Sequence, residues 1–285
     1  MGKVDQFEST FRAAVKSVYS YRPPKLTKVL VVTDLDPEGA ATFTDGCKRF
    51  LEVLAEARWE TLNGEQFHNV AELLNLVVED DPDLICTYRH LHSNAWKWPH
   101  SLGEHVDVLT QVTSCPVMVI PHPARGGALD HALTDTDVVM AITDHLTGDD
   151  RLVNFAVRFT APGGRLYLTH VEDEGVFERY MDVVSRIHQI DTDIARETIR
   201  AQLLKEPADY IRSCAEVLAK DAKEHALSVE PVVALGHRLS EYERLIQQHE
   251  VDLLVMNTKD EDQLAMHGMA YPLAVDLRTI PLLML

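Results

Sequence analysis

The chain has 285 residues, 46% of them hydrophobic, which is enough for two folded units of ordinary size, each with its own core. A formal charge of −18 disfavours nucleic acid and anionic membrane surfaces as partners, because both are held chiefly by clustered Lys and Arg. Four scattered cysteines, an amino terminus without an apolar signal core and the lack of any apolar run near membrane-span length predict a reducing cytoplasm and no membrane span.

Residues 4–21 place Phe7, Phe11, Ala14, Val15 and Val18 at helical spacing, and Pro23-Pro24 stops the pattern, so residues 1–25 read as a helix packed on the outside of the first domain. Residues 28–33 are an apolar, β-branched run without alternation, the pattern of a strand buried on both faces of a parallel sheet, and the run ends at Asp34. Helical pattern over 45–56 and 70–78 alternates with strands at 59–62 and 84–87, and a helix over 101–113 leads to a strand at 117–120. Pro121, Pro123 and Gly126-Gly127 mark a linker at 123–137. Beyond it come a strand (138–143), a helix (152–159), a turn at Pro162-Gly163-Gly164 and a strand (165–171). Helical spacing then runs from 178 to 226 with an expected break at Pro207. A strand at 229–235, a helix at 241–249, a strand at 252–256, a helix at 269–278 and a strand at 281–285 close the chain.

The chain repeats itself. Gly103 and Pro116 are thirteen residues apart, as are Gly268 and Pro281, and each proline opens an apolar strand. The run from Lys28 to Asp34 is answered by the run from Asp137 to Asp144. Duplication at so long a period means two related domains, expected at 26–122 and 138–285. They are unequal: Asp34 and Asp83 lie 49 positions apart, Asp144 and Asp252 lie 108 apart. The first therefore lacks a helix–strand unit, and the second carries a helical insert at about 176–207.

This β-α order, the aspartate closing the first strand, the Leu168-Thr169-His170-Val171 run and the Cys115-Pro116-Val117-Met118-Val119-Ile120 ending together resemble the universal stress protein family in tandem form. The resemblance covers nearly the whole chain. It implies two flavodoxin-like (adenine nucleotide α hydrolase-like) parallel-sheet domains related by a pseudo-two-fold, with final strands 117–120 and 282–285 as candidates to pair. A dinucleotide-binding fold is the competitor, but no Gly-x-Gly-x-x-Gly follows Thr33 or Thr143.

Nucleotide-binding members of that family carry, after the fourth strand, a glycine, two residues, a glycine, nine residues, a glycine and then Ser or Thr. Glycines let backbone N–H groups approach phosphates at a helix amino terminus. Here Thr87 and His90 take the first two glycine places, twelve residues separate His90 from Gly103, and Glu104 replaces the hydroxyl residue. In the second copy Asn257 and Asp260 take the glycine places, seven residues precede Gly268, and Met269 follows. Asp260-Glu261-Asp262 and Glu104 would repel a triphosphate. Asp34 and Asp144 remain where the family meets its nucleotide, with His170 on the second strand, although strand-end aspartates also serve simply as caps. The expected vestigial pockets thus comprise Asp34, Thr87, Gly103, Asp144, His170, Asn257 and Gly268.

His90, His92, His100 and His105 gather near Cys86, but their spacing matches no standard zinc site; the expectation is a polar loop, without metal, in which Trp96 and Trp98 fill the gap. No Gly-x-Ser-x-Gly, His-Glu-x-x-His or Walker loop occurs. The resulting expectation is a non-enzymatic stress-response protein acting on a protein partner or small ligand, internally a pseudo-dimer and open to forming a homodimer, with no cofactor. Binding of ATP or AMP through an unusual loop is the alternative.

Overall fold

The computed structural model describes residues 19–97, 101–123, 128–129, 131–143, 146, 148–220, 226–258 and 270–285. The helix expected at the amino terminus falls largely on residues 1–18, outside the described residues, and 19–27 run without regular structure into the first strand.

The strands are β1 (Lys28–Val32), β2 (Arg58–Leu62), β3 (Leu84–Tyr88), β4 (Val117–Ile120), β5 (Val138–Ile142), β6 (Arg165–Asp173), β7 (Ser228–Gly236), β8 (Leu253–Met256) and β9 (Leu282–Met284). They form a single nine-stranded sheet in the order β2-β1-β3-β4-β9-β8-β5-β6-β7. Every neighbouring pair is parallel except β4 and β9. The first half contributes four strands as 2-1-3-4, and the second contributes five as the mirrored 9-8-5-6-7, so the second has one more outer strand. The two final strands meet at the join. Central strands such as β3 and β5 are buried at every position, which is why their sequences show apolar runs rather than alternation.

Helices cover both faces. On one lie α1 (Pro37–Phe50), α4 (Asp150–Phe159) and the second half of α6 (Thr192–Lys220); on the other lie α2 (Val70–Asp80), α3 (Glu104–Val112), α7 (Arg238–Gln248) and α8 (Ala270–Asp276). Between β6 and α6 lies α5 (Glu174–Val184).

Several helix limits differ from the sequence reading by a few residues, and two differ for a clear structural reason. The first helix begins at Pro37 rather than at residue 45, because Asp36 accepts a hydrogen bond from the Gly39 N–H and Pro37 takes the first helical position, where its missing N–H costs nothing. Second, the chain does not break at Pro207, which sits buried inside α6. The proline removes one backbone hydrogen bond, but Tyr210, Ile211, Cys214 and Leu218 pack on the sheet immediately after it and hold the helix in one piece. The break falls at 185–191, where Asp191 accepts from the N–H groups of Asp193 and Ile194 and starts α6 afresh. None of residues 185–206 is buried, so α5 and the first half of α6 form an arm standing off the second half.

Both halves begin with the same clasp. Asp83 accepts from the Lys28 N–H at 3.0 Å, and its counterpart Asp252 accepts from the Val138 N–H at 2.9 Å. Their environments differ in sign. Burial opposes ionisation of Asp83, but hydrogen bonds from Thr27 and Lys28 prevail and hold it below the ordinary carboxylate range. At Asp252 burial dominates and raises the carboxyl to about 6.

Candidate functional site

In an open α/β sheet, ligands bind beyond the carboxyl ends of the strands where the chain order reverses. Two such crevices exist: between β1 and β3, and between β5 and β8.

The first crevice is built around Asp34, just past β1, and Tyr88, the last residue of β3. The Tyr88 hydroxyl donates to Asp34 Oδ1 and accepts from the Asp34 N–H at 3.2 Å, with Thr33 Oγ1 at 2.7 Å. Asp34 Oδ2 accepts from the His92 N–H at 2.7 Å. Both carboxylate oxygens are therefore engaged from within the chain. Burial, followed by the Asp34 contact, pushes the Tyr88 phenol well above its ordinary value, so it stays a protonated donor.

Aromatic rings pack beside this pair. Phe67 lies edge-on to His92 at 4.9 Å and to His105 at 5.8 Å; His92 and His105 are 5.7 Å apart, and His68 stacks on His92 at 6.3 Å. Burial, then the neighbouring His92, lowers the basicity of His105. The loop carrying His90 and His92 is held with left-handed backbone at both, φ 63° and 56°, a conformation that side chains with a Cβ rarely adopt. Gly103 caps α3 at φ 93°, and a Cβ there would lie 2.8 Å from the backbone N and Cα of His90. The His90 N–H also donates to the Leu102 carbonyl at 2.9 Å. This glycine accommodates the chain's own loop. Arg89 turns away and gives hydrogen bonds to the carbonyls of Ala274 and Leu277 at 2.6 and 2.5 Å, placing positive charge at the carboxyl end of α8 and tying the halves together.

Thr87 lies within β3, fully buried. Strand register makes Tyr88, not Thr87, the counterpart of Asn257: Ile85 pairs with Val117 as Leu254 pairs with Leu282.

In the second crevice, the pairing of Met256 with Ile142 and of Thr169 with Ile142 sets Asn257 and His170 on either side of Thr143. Asn257 donates to Asp149 Oδ2 at 2.5 Å, and Asp149 caps α4 by accepting from the Leu152 N–H at 3.0 Å. Burial pushes the Asp149 carboxyl above its ordinary range. His170 is buried, with Nε2 3.3 Å from Glu172 Oε2. Tyr242 accepts from the Val171 N–H at 3.3 Å and donates to the Thr143 carbonyl at 3.5 Å. Asp144, Asp260, Gly268 and Met269 lie outside the described residues, as do His100, Trp98 and the Trp96 side chain.

The sequence singles out Asp34, Gly103 and Asn257 but does not announce Tyr88, Phe67, His68, Asp149 or Tyr242. Only Tyr88, ending a strand, carries a local signal. Among the described residues no three His, Cys, Asp or Glu side chains gather as a metal site, and no helix is long and apolar enough to cross a membrane.

A cavity of about 620 Å³ lies on the other side of the β1 loop, along α1 and the segment after β4, with Leu35, Phe43, Cys47, Phe50, Ile120 and Leu133 in its wall. Neither Asp34 nor Tyr88 lines it.

No family model matches the sequence, and no curated protein does. Solved structures do match, and they define the class as a flavodoxin-like α/β fold. The chain is similar to a universal stress protein from Archaeoglobus fulgidus DSM 4304, with a TM-score of 0.52 and 12% identity over 90% of this chain and 95% of that one. It is equally similar to a functionally unknown protein from Pseudomonas aeruginosa PAO1, with a TM-score of 0.51 and 14% identity over 92% and 93%. At such identities the likeness is one of fold: this chain folds as a universal stress protein does.

Proposed function

We propose that this chain is a universal-stress-type protein that works by binding a protein partner or small ligand rather than by catalysis, and that its first half has given up the nucleotide position. The observation that carries this reading is the double engagement of Asp34 by Tyr88 and the His92 N–H. An adenine nucleotide would have to displace both, together with the packed rings of Phe67, His92 and His105. Gly103 is occupied by the His90 backbone, and Glu104 competes for the amino-terminal end of the α3 dipole. The residues of the first half thus do not fit the nucleotide that the family resemblance implies.

The alternative is ATP or AMP held by the second half, where Asn257 and His170 flank Thr143. Against it stands Asp149, a carboxylate at the α4 amino terminus bonded to Asn257, where a phosphate would need positive potential. Nucleotide analysis of heat-extracted, freshly purified protein separates the two: no stoichiometric adenine nucleotide is expected, and one equivalent per chain would establish the alternative.

A further inference from the structure

We propose that the arm formed by α5 and the first half of α6 is a self-pairing surface, on which a second copy of this chain docks across a two-fold axis near Val183. Six of the ten large apolar side chains exposed among the described residues fall in this one stretch: Tyr180, Val183, Ile187, Ile190, Ile194 and Leu203. Tyr180, Val183 and Ile194 are exposed by 65, 62 and 64%. Scattered apolar side chains on a surface are ordinary, but a run of them along one element marks a contact surface. Tyr180, Val183 and Ile187 follow at intervals of three and four, which puts them on one face of α5 and of the turn that prolongs it. In that turn the N–H groups of Arg186 and Ile187 donate to the carbonyls of Val183 and Val184. Phe177 and Met181, on the neighbouring face, are buried, so the exposed stripe is additional to the arm's own packing.

The arm is held ready for a partner. Arg196 of α6 forms an ion pair with Glu178 of α5 and lies 5.6 Å over the Phe177 ring, which joins the two helices. The base of the arm rests on β6 and β7, and β7 is the outer strand of the sheet. A second copy can therefore approach from the end of the sheet without meeting the first half.

Charge and area make that partner a second copy. Residues 174–206 hold seven acidic and five basic side chains, net −2, and the other residues carry the remaining −16 of the chain's −18. Two such acidic bodies repel one another, and the near-neutral arm lets them meet with little of that repulsion. The stripe is also complementary to itself. When two α5 segments cross antiparallel near Val183, Tyr180 meets Ile187 of the second copy and Asp182 on the flank meets its Arg186, each contact being made twice, as a two-fold interface requires. The six side chains leave several hundred Å² on each copy, so two arms together approach the ~1,200 Å² of the smaller specific interfaces.

Sedimentation velocity and light scattering of the full chain over about 1–100 µM test this. The mass of two chains is expected in the upper part of that range. Val183→Asp should return the mass to that of one chain and leave the near-UV signal unchanged. Arg186→Asp should weaken dimerisation by about tenfold or more, and adding Asp182→Arg to it should restore the parental affinity. Such a recovery requires that the arm pair with an identical arm. A parent chain that stays monomeric throughout would overturn the proposal, even if its arm then bound phosphatidylcholine vesicles or a different protein. So would a dimer that persists in Val183→Asp, or one that the exchange of Asp182 and Arg186 fails to restore.

Discussion

Met118 of β4 stands directly opposite Leu283 of β9, and the two are counterparts, 165 positions apart like Gly103 and Gly268. The flanking pairs are reciprocal: Val117 faces Met284 and Val119 faces Leu282. Such a register is what a two-fold axis through the Met118–Leu283 pair generates, and it fuses two parallel half-sheets into one. The strand β9 is thereby central, buried on both faces and paired on both edges, rather than an exposed edge.

Cutting this pair should destabilise both halves together. Met118→Ala and Leu283→Ala should each cost about 2–5 kcal/mol, and because the side chains are neighbours the double substitution should be non-additive by roughly 0.5–3 kcal/mol. Urea unfolding followed by far-UV and near-UV signals should retain one coincident transition. Separate transitions for the two halves would show that the strand pairing does not couple them.

Gly103→Ala should lower stability by about 1–3 kcal/mol with no ligand present, since the added Cβ collides with the His90 backbone at a positive φ. Thermal unfolding reads this directly. An unchanged midpoint would mean that the glycine serves something other than loop packing.

The two clasp aspartates should respond to pH in opposite directions. Asp252, raised to about 6 in the folded chain, holds its proton more tightly folded than unfolded, so its contribution is greatest below about pH 4 and is lost as pH rises through 6. Asp252→Asn keeps an acceptor for the Val138 N–H and should stabilise the protein at pH 7 by about 1–3 kcal/mol, with the difference vanishing near pH 4. Asp83 is lowered, so its contribution is present above the ordinary carboxylate range and is lost as pH falls; Asp83→Asn should be destabilising at pH 7 and less so in acid. Denaturation midpoints from pH 2 to 7.5 check both signs, the Asp252 effect between about pH 4 and 7 and the Asp83 effect below about pH 4.

Replacing residues 174–206 by a short turn should leave the nine-stranded sheet folded. Only Phe177 and Met181 of this arm are buried, and nothing in 185–206 is. A cooperative transition with native near-UV signal is expected from the deletion variant. Global unfolding would make the arm part of the core.

The repeat and the positions of the strands are legible in the sequence because buried parallel strands leave apolar runs and because the Gly–Pro spacing recurs unchanged. Helix limits are less so: the Asp36-Pro37 start is outweighed by two helix-weakening glycines, Gly39 and Gly46, and Pro207 reads as a stop because the sequence does not display the sheet that holds α6 together. The closed crevice is the least legible part. Asp34 meets Tyr88 and His92 across 54 and 58 positions, and no local pattern announces contacts of that range.

Calorimetric titration of the full chain with Mg-ATP decides whether the first half is closed to nucleotide by its own residues. A ligand at 100 times its dissociation constant stabilises a fold by about 2.7 kcal/mol, a shift of several degrees in midpoint, so thermal unfolding in the same solutions provides a second reading. Closure of the crevice by Tyr88 and His92 predicts neither saturable heat nor a midpoint shift at millimolar Mg-ATP. Saturable binding of one equivalent that is lost in Asp34→Ala would contradict it.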